Sequence, residues 1–135
     1  MKNVAKLCDF GWSSFYHNEM KTTFCGTLDY LSPEMKERGK YNTSVDIWSV
    51  GVLTYELLLG EAPYKKQLNN WKNKGSKREE KTNWNIIYPL TISTVAESFL
   101  RNLLKENPDE RGSLQSCLKH FFIRKYRQPE NEEEF

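Results

Sequence analysis

The chain has 135 residues, of which 38% are hydrophobic and 28% charged, which is the composition of an ordinary globular domain. A formal net charge of +2 is too small to favour nucleic acid or an acidic membrane surface as a partner. No apolar run reaches the roughly 18 residues of a membrane helix, and three scattered cysteines, Cys8, Cys25 and Cys117, favour reduced thiols. The sequence predicts a protein of the cytoplasm or nucleus, with no nucleic-acid partner and no membrane association.

The first half of the chain predicts a short strand, a long loop and one buried helix. Residues 4–8 alternate loosely between apolar and polar, as a strand does. Residues 9–44 are rich in Gly, Ser, Thr, Asn and Pro, which predicts an extended loop with at most one helical turn near Pro33. Residues 45–59 are apolar on nearly every face and end at Gly60, which predicts a buried central helix.

The second half predicts a polar loop and two further helices. Residues 65–82 hold seven Lys or Arg and are interpreted as a solvated surface loop. Residues 94–105 have helical periodicity, and Thr94 with Glu97 matches a capping box. A last helix is predicted from Ser113, with an apolar face made by Leu114, Cys117, Leu118, Phe121 and Phe122. The fold class predicted is therefore mainly α.

Four motifs in a fixed order carry the functional information. Asp9-Phe10-Gly11 comes first, residues 25–34 (CGTLDYLSPE) and 46–52 (DIWSVGV) follow, and Arg111 comes last. Together they resemble the protein kinase family, in which these segments belong to the C-terminal lobe. Trp12-Ser13 and residues 22–31 resemble the Aurora kinases in particular. Residues 1–123 are predicted to be part of a kinase domain without its N-terminal lobe, and residues 124–135 a disordered acidic tail.

The resemblance implies a role for each motif residue. Asp9 would hold Mg²⁺ against the phosphates of ATP. Thr23, with Thr22 beside it, would be the phosphorylation site of the activation loop. The resemblance assigns Gly26 and Thr27 to the substrate loop. It implies a buried ion pair between Glu34 and Arg111. Asp46 would be a helix anchor that holds the catalytic loop.

Plainer interpretations of the same residues remain open at this stage. Asp9 fits a turn, and Thr22 and Thr23 fit an ordinary loop. Asp46 fits a favourable charge in the first turn of a helix.

The residues that perform phosphoryl transfer are not found in this sequence. A glycine-rich phosphate loop, a strand lysine, a catalytic aspartate and a metal-binding asparagine precede the Asp-Phe-Gly motif in kinases, and only eight residues precede Asp9 here. No catalytic residue is therefore assigned. The family uses ATP and Mg²⁺, but the chain alone is expected to bind neither tightly and to be inactive.

Two functions compete for this sequence. The first is a Ser/Thr kinase of Aurora type that acts on a protein substrate or with a regulatory protein, at the centrosome or spindle by resemblance. The second is a non-catalytic, pseudokinase-like module that binds a substrate or regulator. A decayed relic without function is a further alternative.

Overall fold

The computed structural model describes residues 5–15, 19–64 and 84–126 of the chain. Five α-helices lie in these ranges, and they are α1 Pro33–Lys36, α2 Ser44–Leu59, α3 Thr94–Leu103, α4 Leu114–Lys119 and α5 Phe121–Arg124. Three single 3₁₀ turns also lie there: Phe10–Trp12 and Leu28–Tyr30 precede α1, and Pro108–Glu110 lies between α3 and α4. The prediction of a mainly α fold is confirmed. The predicted polar loop 65–82 and most of the acidic tail lie outside the described residues.

The strand predicted over residues 4–8 is wrong for residues 5–8, which pair with no strand in the part of the chain that the structure describes. In the described ranges the one β-type pairing is an isolated antiparallel bridge between Lys21 and Tyr41. A strand forms only where another strand accepts its backbone hydrogen bonds. The side chain of Leu7 is 89% exposed, so the segment also lacks apolar packing.

Helix α2 is the central element, and its length and end agree with the prediction. Gly60 stops it in the left-handed conformation at φ 83°, where its N–H donates to the Glu56 carbonyl at 2.7 Å. One face of α2 is buried, with Trp48 and Val52 fully so. The opposite face is exposed and consists of Val50, Leu53, Leu57 and Leu58. The buried position predicted for this helix therefore holds for one face, and the other apolar face is exposed.

Helix α3 crosses α2 at close range because α2 has a glycine at the contact. A Cβ on Gly51 would lie 2.7 Å from Cδ2 of Leu104. The contact joins the buried face of α2 to the apolar side of α3, where Phe99 and Leu100 are buried. The main core is one aromatic and aliphatic cluster, made of Trp48, Val52, Tyr55, Tyr64, Trp84, Leu100 and Leu104.

The N-terminal cap of α3 differs from the predicted capping box. Ser93, and not Thr94, is the cap residue, and its hydroxyl accepts a hydrogen bond from the Ala96 N–H at 3.2 Å. Glu97 pairs with Arg101 one turn later, with Nη2 2.7 Å from Oε1. The helix begins one residue earlier than the capping-box pattern required, so Ser93 takes the role assigned to Thr94.

The last predicted helix is two helices in the structure. His120 has extended backbone angles (φ −66°, ψ 141°) and separates α4 from α5. The break rotates the second half away from the continuous face that the periodicity predicted. Cys117 is buried, whereas Leu114, Leu118 and Phe121 are exposed.

Candidate functional site

The loop that precedes α1 is held against the chain that follows α1. Lys21 and Tyr41 exchange two backbone hydrogen bonds, of 2.9 and 3.0 Å. The Tyr41 hydroxyl also donates to the Thr23 carbonyl at 2.8 Å. Burial is the main cause that raises the pKa of Tyr41, so this phenol stays protonated and remains a donor at neutral pH. The loop therefore has a defined position beside residues 38–41.

A cavity of about 330 Å³ lies under this loop, and it brings together three residues predicted for the site. Gly26 and Thr27 line it from the loop, and Asp46 lines it from the first turn of α2. Gly26 has φ 104°, a left-handed conformation that favours glycine, and an added Cβ would lie 3.2 Å from the Leu31 side chain. The backbone therefore approaches the cavity more closely than a larger residue would allow.

The wall of this cavity is fixed by Tyr30, which the sequence did not single out. Its hydroxyl donates to the Glu56 carboxylate, and its carbonyl accepts from the Ser49 hydroxyl at 3.1 Å. The hydrogen bond to Glu56, with burial and charge repulsion, raises the pKa of Tyr30. Two side chains of α2 thus anchor the loop at the residue that follows Asp29. In the sequence, Tyr30 is visible only as a tyrosine inside the kinase-like motif, and its partners Ser49 and Glu56 are distant from it along the chain.

Asp46 faces the cavity with a carboxylate that has no hydrogen-bond donor within the described parts of the chain. Partial burial raises the pKa of this carboxyl. Asp46 is nevertheless exposed, so water also reaches this carboxylate. Asp46 also lies in the first turn of α2, where a negative charge interacts favourably with the helix dipole, as in the plainer interpretation of this residue.

Glu34 and Arg111, which are 77 residues apart in sequence, form a bidentate ion pair. The two N···O distances are 2.6 and 2.7 Å, and the side chains are 11% and 0% exposed. The other three N–H groups of the guanidinium donate to backbone carbonyls of Ser44, Lys105 and Glu106. All five donors of Arg111 are therefore used, and one side chain joins α1, the start of α2 and the end of the α3 region.

Asp9 does not line this cavity, although Trp12, Ser13 and Ser14 of the same exposed segment do. Its backbone is left-handed at φ 61°, and the 3₁₀ turn Phe10–Trp12 follows it. No group of three or more His, Cys, Asp or Glu that could hold a metal ion is found in the described ranges. One carboxylate fits Mg²⁺ as a single ligand, since this ion usually takes one or two carboxylates together with phosphate oxygens.

Thr22 and Thr23 are both exposed and accessible on the loop. Neither lines the cavity. The structure therefore brings together Gly26, Thr27 and Asp46, pairs Glu34 with Arg111, and leaves Asp9 and the two threonines outside that group.

A larger cavity, of about 900 Å³, lies on the other side of α1 and has mixed charge. Glu34, Glu37, Trp84, Arg101 and Lys105 are among its lining residues. Gly26 and Thr27 do not line it, so its larger volume does not make it the better candidate. Among the described residues, no helix is both long and apolar enough to cross a bilayer.

The comparisons with known proteins agree with one another. The protein kinase domain model matches residues 1–123. The Aurora kinase of Eremothecium gossypii is 42% identical over 124 residues, which cover 91% of this chain and 32% of that protein. The Aurora kinase of Schizosaccharomyces pombe is 41% identical over 122 residues, covering 90% of this chain and 33% of the relative.

A third relative, the Aurora kinase of Encephalitozoon cuniculi, is 36% identical over 124 residues. These residues are 92% of this chain and 44% of the relative. The chain thus spans from about a third to somewhat less than half of the length of these curated relatives.

Proposed function

This chain belongs to the protein kinase family and is of Aurora type, and from that premise we propose that it serves in ATP-dependent phosphoryl transfer to Ser or Thr hydroxyls of a protein. The observation that carries the proposal is the cavity at which Gly26, Thr27 and Asp46 meet. It combines a close backbone approach, a hydroxyl and an acceptor on one concave surface. This surface fits an extended peptide with a small hydroxylated side chain.

Each residue has a proposed part in that reaction. Thr27 touches the catalytic aspartate of the complete lobe and helps to favour Ser or Thr hydroxyls, and Gly26 allows the backbone a close approach. Asp46 accepts backbone hydrogen bonds from the catalytic loop of the complete lobe. Asp9 would hold Mg²⁺ through one carboxylate oxygen, and the bound ion would supply positive charge beside the phosphates.

Glu34 and Arg111 position the site without touching the substrate. Their ion pair fixes the end of the substrate loop to the region after α3. A loop held in this way loses less conformational freedom when a peptide binds, which favours binding. The exposed side of α2, formed by Val50, Leu53, Leu57 and Leu58, packs against the rest of the lobe in this proposal.

The 135-residue chain by itself is proposed to be inactive. Positioning and electrostatic stabilisation supply most of the rate of phosphoryl transfer, and a single metal-binding carboxylate provides little of either. Measurable phosphorylation by the purified chain that is lost in Asp9→Asn would contradict this part of the proposal.

A chimaera tests the kinase function directly. The matching segment of the Schizosaccharomyces pombe Aurora kinase is replaced by residues 1–123 of this chain, and transfer from radiolabelled ATP to a Ser-containing basic protein is measured. We expect activity in the chimaera and a loss of about 100-fold or more in Asp9→Asn, since the metal ligand is removed. Asp109→Asn, which changes an exposed carboxylate in the same way, should keep the activity.

A folded chimaera without activity, with the relative's own segment active in the same assay, would overturn the kinase proposal. It would favour the second candidate, a non-catalytic module that binds a protein substrate or regulator through the same cavity. The retained substrate loop is the feature that permits this alternative. Location in the cytoplasm or nucleus, and at the centrosome or spindle, is proposed from the Aurora relatives alone.

A further inference from the structure

The cavity of about 900 Å³ on the other side of α1 is a groove lined by separate parts of the chain. Helix α1 and the residue after it contribute Pro33 and Glu37, and the end of α3 and the next 3₁₀ turn contribute Leu104 and Glu110. Ligand sites in proteins commonly have volumes of about 300 to 1,000 Å³. The groove is therefore large enough for several residues of an extended peptide.

One buried side chain joins two walls of this groove. Arg111 is bonded to Glu34 of α1 at 2.6 and 2.7 Å, and it donates to the carbonyls of Lys105 and Glu106 at 2.9 and 3.2 Å. Glu34, Lys105 and Glu106 all line the groove. These walls are therefore held together before any ligand binds, and a pre-formed surface loses little conformational freedom on binding.

Apolar and aromatic side chains also line the groove. Trp84 and Leu104 are 6% and 7% exposed, and Ile86 and Tyr88 are half-buried against the same core cluster. The indole N–H of Trp84 is buried and has no acceptor in the described parts of the chain. The lining thus combines apolar surface with one unused hydrogen-bond donor.

The exposed charges of the groove are mainly negative. Glu37, Glu106 and Glu110 are exposed carboxylates of its lining. Lys105 offsets part of their charge, with its Nζ 4.0 Å from Oε2 of Glu110. Within the described ranges, Glu37 has no cation at ion-pair distance. The groove therefore attracts positive charge.

The other two charged residues of the lining are matched by partners of their own. Nη2 of Arg101 lies 2.7 Å from Oε1 of Glu97, and the Arg101 guanidinium lies 4.4 Å from the centre of the Tyr88 ring. Glu34 is held by Arg111 in the buried pair. These two pairs leave the excess of negative charge in the groove unchanged.

We propose that this groove binds a basic segment of a partner protein, with Arg or Lys side chains at Glu37 and Glu110 and an apolar side chain against Ile86 and Tyr88. Its charge disfavours nucleic acids and anionic membranes. In the described ranges no group of three or more His, Cys, Asp or Glu is placed to hold a metal ion, so cationic side chains fit better than a metal. This binding goes beyond the proposed function, because it involves no phosphoryl transfer.

A fluorescein-labelled synthetic peptide, in which arginines flank a pair of leucines, tests the proposal. Fluorescence anisotropy measures its binding to the full chain at an ionic strength of about 0.15 M, where unspecific attraction is screened. We expect saturable binding to the wild-type chain. Glu37→Gln with Glu110→Gln should raise Kd by about fivefold, the size expected for the loss of two exposed ion pairs.

Two controls separate a specific groove from general attraction between charges. Glu19→Gln with Asp109→Asn removes two exposed carboxylates that do not line the groove, and it should change Kd by less than about twofold. A peptide with citrulline in place of arginine keeps the size of each side chain without its charge. It should bind the wild-type chain more weakly and no longer distinguish it from the Glu37→Gln, Glu110→Gln chain.

Equal Kd values for the wild-type and the Glu37→Gln, Glu110→Gln chains would overturn the proposal. An equal loss of binding in the Glu19→Gln, Asp109→Asn chain would do the same, as would the absence of binding to the wild-type chain. Association of the chain with itself, seen by sedimentation and abolished by Glu37→Gln with Glu110→Gln, would replace the partner protein by a second copy.

None of these measurements involves catalysis. An inactive chimaera together with charge-dependent peptide binding would therefore remove the kinase function and keep the groove. An active chimaera together with equal Kd values would keep the kinase function and remove the groove.

Discussion

Lys36 is a charged residue that is buried beside the aromatic side chains of the core. It is 8% exposed, and its ammonium has no hydrogen-bond partner within the described residues. Trp84 and Tyr64 flank it, with Nζ 4.8 and 5.8 Å from their ring centres. Burial lowers the pKa of Lys36 to about 8, and cation–π attraction offsets part of the cost.

Stability is expected to rise with pH because of Lys36. The unfolded chain holds this proton up to the ordinary lysine value of 10.5, whereas the folded chain releases it from about pH 8. Above pH 8 the unfolded state binds more protons, so the free energy of unfolding increases with pH, by up to about 3 kcal/mol in total.

Urea denaturation at pH 7.5 to 9.5, followed by tryptophan fluorescence, measures this slope. Lys36→Met should raise the stability at pH 7.5 and flatten the curve. Lys40→Met, at an exposed position, should keep the slope. A wild-type curve that is flat or falls across this interval would contradict the assignment. Above about pH 10 the raised pKa of the half-buried Tyr88, about 12, acts in the opposite direction and sets the upper limit of the experiment.

The elements of this fold depend on a few contacts at their ends and crossings. Helix α3 begins at a serine cap, and α2 ends at a left-handed glycine. Their crossing depends on Gly51, at which no Cβ fits without displacement of Leu104. Periodicity predicts that a helix exists, whereas caps and crossings decide where it starts and how closely it packs.

The cap of α3 distinguishes the observed helix start from the predicted one. Ser93→Ala removes the acceptor for the Ala96 N–H and should cost about 1 kcal/mol of stability. Thr94→Ala, the matched change at the residue that the capping box favoured, should change stability by less than about 0.5 kcal/mol. Thermal unfolding of both variants checks this, and a larger loss at Thr94 would contradict the observed cap.

We predict that one added methyl group at the crossing of α2 and α3 lowers the stability of the chain. Gly51→Ala places a Cβ at 2.7 Å from Leu104, which should destabilise the chain by about 1 to 3 kcal/mol although alanine favours helix. Val50→Ala, one residue away on the exposed face, should have little effect. Equal midpoints in urea for Gly51→Ala and the wild type would show that the helices separate at this point.

At the scale of the whole molecule, one arginine holds together segments that are far apart in the chain. Arg111 contacts Glu34 and three backbone carbonyls, and its guanidinium lies 5.0 Å from the Trp48 ring centre. The substrate loop and the last helices are therefore coupled through a buried charge. Removal of one member of such a pair leaves the other without a partner.

Arg111→Met is expected to destabilise the whole chain by about 3 to 5 kcal/mol, because Glu34 would remain buried and unpaired. Arg101→Met breaks a pair with the same chemistry on the exposed face of α3 and should cost less than about 0.5 kcal/mol. Equilibrium unfolding measures both. Similar losses in the two variants would argue against a buried, structural role for the Glu34–Arg111 pair.

The sequence by itself determined the family, the helical class and the extents of α2 and α3, because these follow from local motifs and from the spacing of apolar residues. It also singled out Gly26, Thr27, Glu34, Asp46 and Arg111, whose functional roles stay predictions.

Only the tertiary structure decided which faces are covered and which distant groups meet. The pairing of Lys21 with Tyr41, the bond from Tyr30 to Glu56 and the burial of Lys36 join segments whose separation carries no local pattern. The break at His120 and the exposed side of α2 are decided in the same way, since a helix buries only the surface that another element reaches.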